Sequence, residues 1–598
     1  MVALRRLASA LLNLVVLAGL VALLVGAGWA AWQVLPERSR AIFRDPRAAA
    51  GGVERAARRG PANPLVSLGN WLQEHIGEWL EAWRPPPDLV RTADGTSGDI
   101  VPLPPWTPLD ERRVFGTTET FWQSRRAKLA GVRWSRVVFY WSEIQPHGPR
   151  DWRAGHYLRH SIIDRERRNG IEVVGLLMNT PAWAAARRQD GVRSLPAGLN
   201  RPIDDPQNAW AAFVRQMAAE YRGRIDTWII WNEPDIQPGD PNAQYYSFAG
   251  HAEDYALLLR TAYLAAKKGN PDARIVFAST TYWADANANR PLFLERTLSA
   301  LARDPEAHAH GFYLDKVGLN LYTSPDDLRR VAGVYREVLQ RFGVAAPLWL
   351  TEMNATPYDD SGRGMSREPN GFRVTLDQQA AFVVQAFAMG LTAGYERIAF
   401  HAMVDRDTGD ELWGLVRNDG TLRPAFVAYQ AAARYLGGAQ RAVFAGRERP
   451  EWRWPRGEYV PNWQVYLVAV ERPAAAGAAA DFAGQPRCPA CPGAGKAAGA
   501  AAAAGGGRQR VSVVWNGDAA PHRVGVPRSS DHATLVDKYG RAVPLEADGD
   551  HWLLTLSGAT AHSPLDPDGY YFVGGDPLLL IEDGVPEDAA VTPPVVLE

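Results

Sequence analysis

An α/β fold is what this sequence predicts: a (β/α)8 TIM barrel followed by a C-terminal β-sandwich, with an N-terminal transmembrane helix ahead of both. Three observations carry the prediction. Strand-like and helix-like segments alternate from Val114 to about Tyr435, the pattern of a parallel sheet wrapped by helices. Short alternating runs without helical periods follow them, and a long apolar stretch stands at the N-terminus. The chain of 598 residues, 46% hydrophobic, has room for such an arrangement. Its formal net charge of -1, with arginines scattered among acids, gives no reason to expect nucleic acid as a partner.

In chain order, residues 1–36 read as the membrane anchor. Arg5 and Arg6 precede an apolar run from Leu7 to Leu35, broken only by Ser9, Asn13 and Gln33. That is long enough to span a bilayer, whereas a cleaved leader would have a shorter core and a better small-residue site than Ala27 to Ala31. Residues 37–110, rich in Pro, Gly and Arg, read as a linker or stalk. Within it Leu65, Leu68, Trp71, Leu72, Ile76, Trp79 and Leu80 recur at helical spacing, which predicts a short amphipathic helix packed on the remainder of the protein.

Residues 111–436 form the predicted barrel, with strands ending near Gly116, Trp141, Leu177, Asn232, Ser279, Tyr322, Glu352 and His401. The helices between them include Asp205 to Tyr221 and Asp377 to Gly390. Eight strands in roughly 320 residues is the size of a (β/α)8 barrel. Glu233, after Thr227-Trp228-Ile229-Ile230-Trp231, would then end the fourth strand, and Glu352, after Pro347 to Thr351, the seventh. Both carboxylates would face one mouth, where barrel enzymes keep their chemistry.

Several motifs in order resemble the clan A glycoside hydrolases, most closely family 39 and its relatives. Gly131 to Arg136, followed by Trp141-Ser142-Glu143-Ile144-Gln145-Pro146, is similar to the second strand and its loop, with Arg136 at the place of the clan's arginine. Gly170 to Val174 and Asn179-Thr180-Pro181-Ala182-Trp183 are similar to the third strand and its aromatic loop. Asn232-Glu233-Pro234 matches the acid/base motif, Glu352 falls at the nucleophile position, and Tyr322 sits where the clan has a tyrosine near that nucleophile. Relatives often carry His two residues before this tyrosine; here Asn320 stands there. The resemblance implies a retaining enzyme that cleaves β-glycosidic bonds by double displacement, with Glu233 as acid/base and Glu352 as nucleophile.

Such chemistry needs an acid for the leaving oxygen and a carboxylate for the oxocarbenium-like carbon, so the two glutamates must hold different protonation states. Arg136 and Tyr322 are expected to favour ionised Glu352, and a negative partner is expected to keep Glu233 protonated. Asn232 suits a sugar 2-hydroxyl. Arg136, Trp141, Trp183, Asn232, Asn320, Tyr322, His401 and Trp413 complete the expected substrate-binding set. Trp141, Trp183 and Trp413 read equally well as core aromatics or as platforms for pyranose faces.

Elsewhere no metal and no cofactor is expected. His308 and His310 lack a third ligand, and no Gly-rich phosphate loop stands out. Cys488 and Cys491 lie in the Ala/Gly-rich insertion 473–507 and read as a local disulfide or two idle thiols. The sandwich, residues 437–598, draws on runs at Trp463–Val470, Val511–Trp515, Ala533–Asp537, Trp552–Leu556, Tyr570–Val573 and Leu578–Ile581, and reads as a structural prop. A carbohydrate substrate suggests an extracytoplasmic catalytic domain, although Arg38, Arg40, Arg44 and Arg47 after the apolar span outnumber Arg5 and Arg6 before it. A rival reading is a non-catalytic glycan-binding or envelope-assembly protein on a relic barrel; a transglycosidase would share every residue named.

Overall fold

The computed structural model describes residues 88–597 apart from 94, 97–99, 109–110, 242, 361–372, 406–411, 450–462, 475–507 and 564–565. The predicted membrane span, the amphipathic helix at 65–80 and the Cys488/Cys491 pair lie outside the described residues. Among the described residues no helix is long and apolar enough to cross a membrane.

Eight parallel strands close into a barrel. They are β1 (Phe115–Thr118), β2 (Trp134–Tyr140), β3 (Glu172–Met178), β4 (Thr227–Ile230), β5 (Arg274–Thr280), β6 (Lys316–Asn320), β7 (Leu348–Met353) and β8 (Arg397–Phe400). A helix follows each: α1 (Ser124–Ala130), α2 (His160–Arg168), α3 (Ala209–Glu220), α4 (Ala252–Gly269), α5 (Phe293–Leu301), α6 (Asp327–Arg341), α7 (Leu376–Thr392) and α8 (Pro424–Leu436). The strands are almost wholly buried, as continuous apolar runs between a barrel interior and a helical shell must be.

Local sequence sets the helix ends. Asn208 caps α3 by accepting from the Ala211 amide at 3.1 Å. Thr375 and Gln378 form a reciprocal capping box at α7, with bonds of 3.1 and 2.8 Å. Pro424 opens α8, where a missing N–H costs nothing. Gly131 ends α1 at φ 84°, and a Cβ there would lie 2.6 Å from the Trp106 ring. Both the left-handed turn and the close approach of Trp106 therefore require glycine.

Inside the barrel, Trp134, Val174, Leu176, Ile229, Val276, Trp349 and Ala399 form a separate apolar cluster. The Trp134 and Trp349 rings sit 5.6 Å apart.

The C-terminal region is β-rich. One antiparallel sheet has the order β9 (Arg441–Phe444), β10 (Trp463–Pro473), β11 (Arg508–Asn516), β16 (Leu578–Val585), β13 (Ala533–Val536) and β14 (Ala542–Leu545). A smaller sheet is built on β12 (His522–Pro527) and β15 (His551–Leu556). Val465, Leu467, Val514 and Leu580 of the first meet Val524, Val526, Trp552 and Leu554 of the second in one apolar cluster. The other face of the large sheet, through Val468, Val470, Val511 and Trp515, joins the barrel's own core. Gln385 of α7 donates to the Gly575 carbonyl at 2.8 Å and accepts from the Gly574 amide at 3.1 Å. Asp377 takes Lys538 at 2.7 Å and the Tyr539 hydroxyl at 2.6 Å.

Candidate active site

The strand ends bring Glu233 and Glu352 to the same mouth by two different backbone devices. After β4 the chain turns through Trp231 at φ 71° and Glu233 at φ 49°. Left-handed backbone at residues bearing side chains costs about 1–3 kcal/mol each and persists only where the surroundings enforce it. Here the Glu233 amide donates to the Ser279 carbonyl of β5 at 2.8 Å, and Trp231 Nε1 reaches the Ser247 carbonyl at 3.2 Å.

Glu352 lies within β7. Leu319 pairs with Leu350, yet the next residue, Asn320, pairs with Glu352, so β7 carries one extra residue at this point. A bulge of this kind re-aims side chains that strict alternation would send to the other face. Thr351 points toward Ser279 and Asn320, and Glu352 toward Arg136 and Tyr322.

Glu352 is only 6% exposed and is faced by Arg136, Tyr322 and His401. Arg136 Nη2 is 2.5 Å from Oε1, and the Tyr322 hydroxyl donates to Oε2 at 2.5 Å. His401 Nδ1 stands 3.9 Å from Oε2 and 2.9 Å from Thr118 Oγ1. Burial alone would raise the carboxyl's pKa, but the Arg136 charge, His401 and the Tyr322 bond together hold it below the usual carboxylate range. Its own burial, then the same carboxylate, push the Tyr322 phenol well above its ordinary value, so Tyr322 stays a donor.

Glu233 meets the opposite conditions. Burial first, then the negative charge of Glu352, raise its pKa, against a single hydrogen bond from Asn320. Asn320 Nδ2 is 2.8 Å from Glu233 Oε1 and 3.1 Å from Asn232 Oδ1. Thr351 Oγ1 lies 2.8 Å from Asn320 Oδ1 and holds the far end of that amide. Arg136 Nη1 also reaches Asn232 Oδ1, at 3.5 Å. Asn232 is thus held by its oxygen.

Of the sequence-predicted set, Arg136, Asn232, Asn320, Tyr322 and His401 converge with the two glutamates. Trp413, half-buried, packs on Tyr322 at 5.1 Å and on His401 at 6.0 Å, forming an aromatic wall. Trp183, also half-buried, is fixed by a 2.6 Å bond from Nε1 to the Gln145 carbonyl. Trp141 corrects the expectation of a sugar platform. It is fully buried, stacked on Phe213 at 5.0 Å and met edge-on by Trp183 at 5.9 Å, so neither face is open to a pyranose. Its contribution is to support Trp183 from below.

Sequence reading missed Thr351, Ser279, Thr118, Asn354 and Asp235. The signal available for Thr351 and Ser279 was a polar residue inside a run that is otherwise apolar and buried. Asn354, two residues past Glu352, ties the seventh strand end to the eighth: its Nδ2 donates to the carbonyls of His401 and, at 2.9 Å, of Trp413. His308 and His310 pack against Phe312 and Tyr313. Among the described residues no group of three or more His, Cys, Asp or Glu could hold a metal.

No family model matches the sequence, and no curated protein matches it. Solved structures do. A family 39 glycoside hydrolase from Bacteroides cellulosilyticus WH2 shares 15% identity at a TM-score of 0.52, over 80% of this chain and 83% of that one. A family 30 subfamily 8 xylanase from Clostridium acetobutylicum has 13% identity and a TM-score of 0.46, over 79% and 96%. The catalytic domain of a family 30 xylanase from Talaromyces cellulolyticus has 14% and 0.46, over 81% and 99%. The chain therefore has a fold like that of the family 39 structure, in agreement with the resemblance carried by its motifs.

Proposed function

We propose that this protein is a retaining glycoside hydrolase that cleaves β-glycosidic bonds of an oligo- or polysaccharide by double displacement. The observation that carries the proposal is the opposed setting of two carboxyls in one barrel mouth: Glu352 faced by Arg136 and Tyr322, which favour its ionised form, and Glu233 buried beside that negative charge, which favours its protonated form. An acid and a nucleophile drawn from the same residue type need such a separation.

In the first step a Glu352 carboxylate oxygen bonds the anomeric carbon while the glycosidic carbon–oxygen bond breaks. Glu233, accepting from Asn320 at Oε1, keeps Oε2 for the proton it gives to the leaving oxygen. Once the glycosyl ester has neutralised Glu352, the charge that kept Glu233 protonated is gone. Glu233 then takes a proton from water, whose oxygen bonds the anomeric carbon and frees Glu352. Arg136 and Tyr322 steady Glu352 in both directions, Asn232 meets the 2-hydroxyl, and His401, Trp183 and Trp413 shape the sugar pocket. On the same reading the apolar span 7–35 anchors the protein in a membrane, with the barrel on the side where its carbohydrate substrate lies.

A hydrolysis screen on aryl β-glycosides and cell-envelope polysaccharides, with Glu352→Gln as control, tests the proposal. Proton NMR of the first-formed product is expected to show the β-anomer. An α-anomer, or equal activity in the control, would overturn the assignment.

A further inference from the structure

Two residues beyond the proposed acid/base lies a second buried carboxyl that the mechanism above does not use. Asp235 is 0% exposed. Its Oδ2 accepts from both the amide and the hydroxyl of Thr281, at 2.8 and 2.7 Å, and its own carbonyl accepts from Arg290 Nη2 at 2.8 Å. With the bond from the Glu233 amide to Ser279, this stitches the β4 turn to the end of β5 on both sides of Glu233. The left-handed residues Trp231 and Glu233 need such a brace to hold their conformation. Asp235 Oδ1 is buried with no hydrogen-bond partner among the described residues. Below its raised pKa this oxygen is where the carboxyl carries its proton, since burial disfavours a bare charge there.

The geometry points to Asp235 as a positioning residue for Glu233, a carboxyl that clamps the β4 turn to Thr281 and whose charge holds the acid/base proton in place. The inference rests on the glycosidase reading. The groups facing Asp235 are Glu233 on its own turn, Thr281 and Asp285 beyond β5, Tyr335 on α6, and Arg290. Arg290 is itself occupied by Asp240 and Asp285, the latter shared with Arg296. Burial, then the Asp285 charge, lift Asp235 to about 7, against the Thr281 bonds. Above that pH Asp235 is negative, and a negative neighbour raises the pKa of Glu233. Loss of the acid's proton is thereby deferred to higher pH.

The test is the pH profile of kcat/KM for an aryl β-glycoside, each variant normalised to its own maximum. Asp235→Asn keeps an oxygen for Thr281 and removes the charge; its alkaline limb is expected to move at least about half a pH unit downward. Thr281→Val keeps the charge group but deletes the hydroxyl bond that favours its ionised form, so the limb should move the same way by less. An unchanged limb in both variants, with turnover merely scaled down at every pH, would reduce Asp235 to a structural brace and overturn the inference. If wild-type protein hydrolyses the substrate and Glu352→Gln does not, that failure leaves the glycosidase reading standing. Absence of hydrolysis in the wild type across the panel would sink both.

Discussion

The ends of β4 and β7 carry the same side chain and treat it in opposite ways. At β4 the backbone leaves the strand through two left-handed residues, and Glu233 meets an amide, burial and a negative neighbour. At β7 the strand continues through a bulge, and Glu352 meets a guanidinium, a phenol and an imidazole. The contrast teaches that the charge state favoured at each glutamate is set by what the neighbouring strands aim at it. One arginine serves both sides, binding Glu352 with Nη2 and the Asn232 beside Glu233 with Nη1.

The sharpest way to break the contrast is to remove one charge. Glu352→Gln is expected to lower kcat by roughly 10⁴-fold or more, since covalent bond formation is lost, and it should also lower the pKa of Glu233 by deleting its negative neighbour. Labelling by a mechanism-based fluoroglycoside should vanish in the same variant. Glu233→Gln should be nearly as damaging on glycosides with poor leaving groups, but far less so when the leaving phenol needs no proton. Equal losses on both substrates would count against the acid assignment.

Arg136→Gln comes next. It strips a buried carboxylate of its partner, so a stability loss of about 3–5 kcal/mol is expected in denaturant titration. The sign for activity follows from the depressed pKa of Glu352. Turnover requires its ionised form and is lost as pH falls through that pKa, so raising it should carry the acid limb to higher pH. Tyr322→Phe is the mildest break: one donor is lost, the acid limb moves the same way by less, and kcat falls by about 10- to 100-fold.

Much of this was legible beforehand because fully buried parallel strands leave unbroken apolar runs. All eight barrel strands fall at or within a few residues of where Gly116, Trp141, Leu177, Asn232, Ser279, Tyr322, Glu352 and His401 put their ends. What escaped was geometry that pattern does not encode. The bulge that turns Glu352 inward depends on register between β6 and β7, and the left-handed turn at Trp231 and Glu233 involves residues with no glycine to announce it. Trp141 was ambiguous because a buried tryptophan and a sugar platform look alike in sequence. β12 was overlooked because Gly525 and Pro527 interrupt its apolar residues; Pro527 is tolerated at the last position of the strand, outside the Val524–Gly525 pairing on its second side.

The bond between Gln385 and the Gly574-Gly575 turn, and the shared core around it, bear on how this protein could have diverged. A helix that lies between β7 and β8 in the chain has its outer face completed by a sheet contributed from the far end of the chain. The barrel is therefore no interchangeable cassette: recombination that exchanged it without the C-terminal strands would leave an unfilled seam along α7. Specificity in such a lineage is free to change through the loops at the mouth, while barrel and sheets are inherited as one piece.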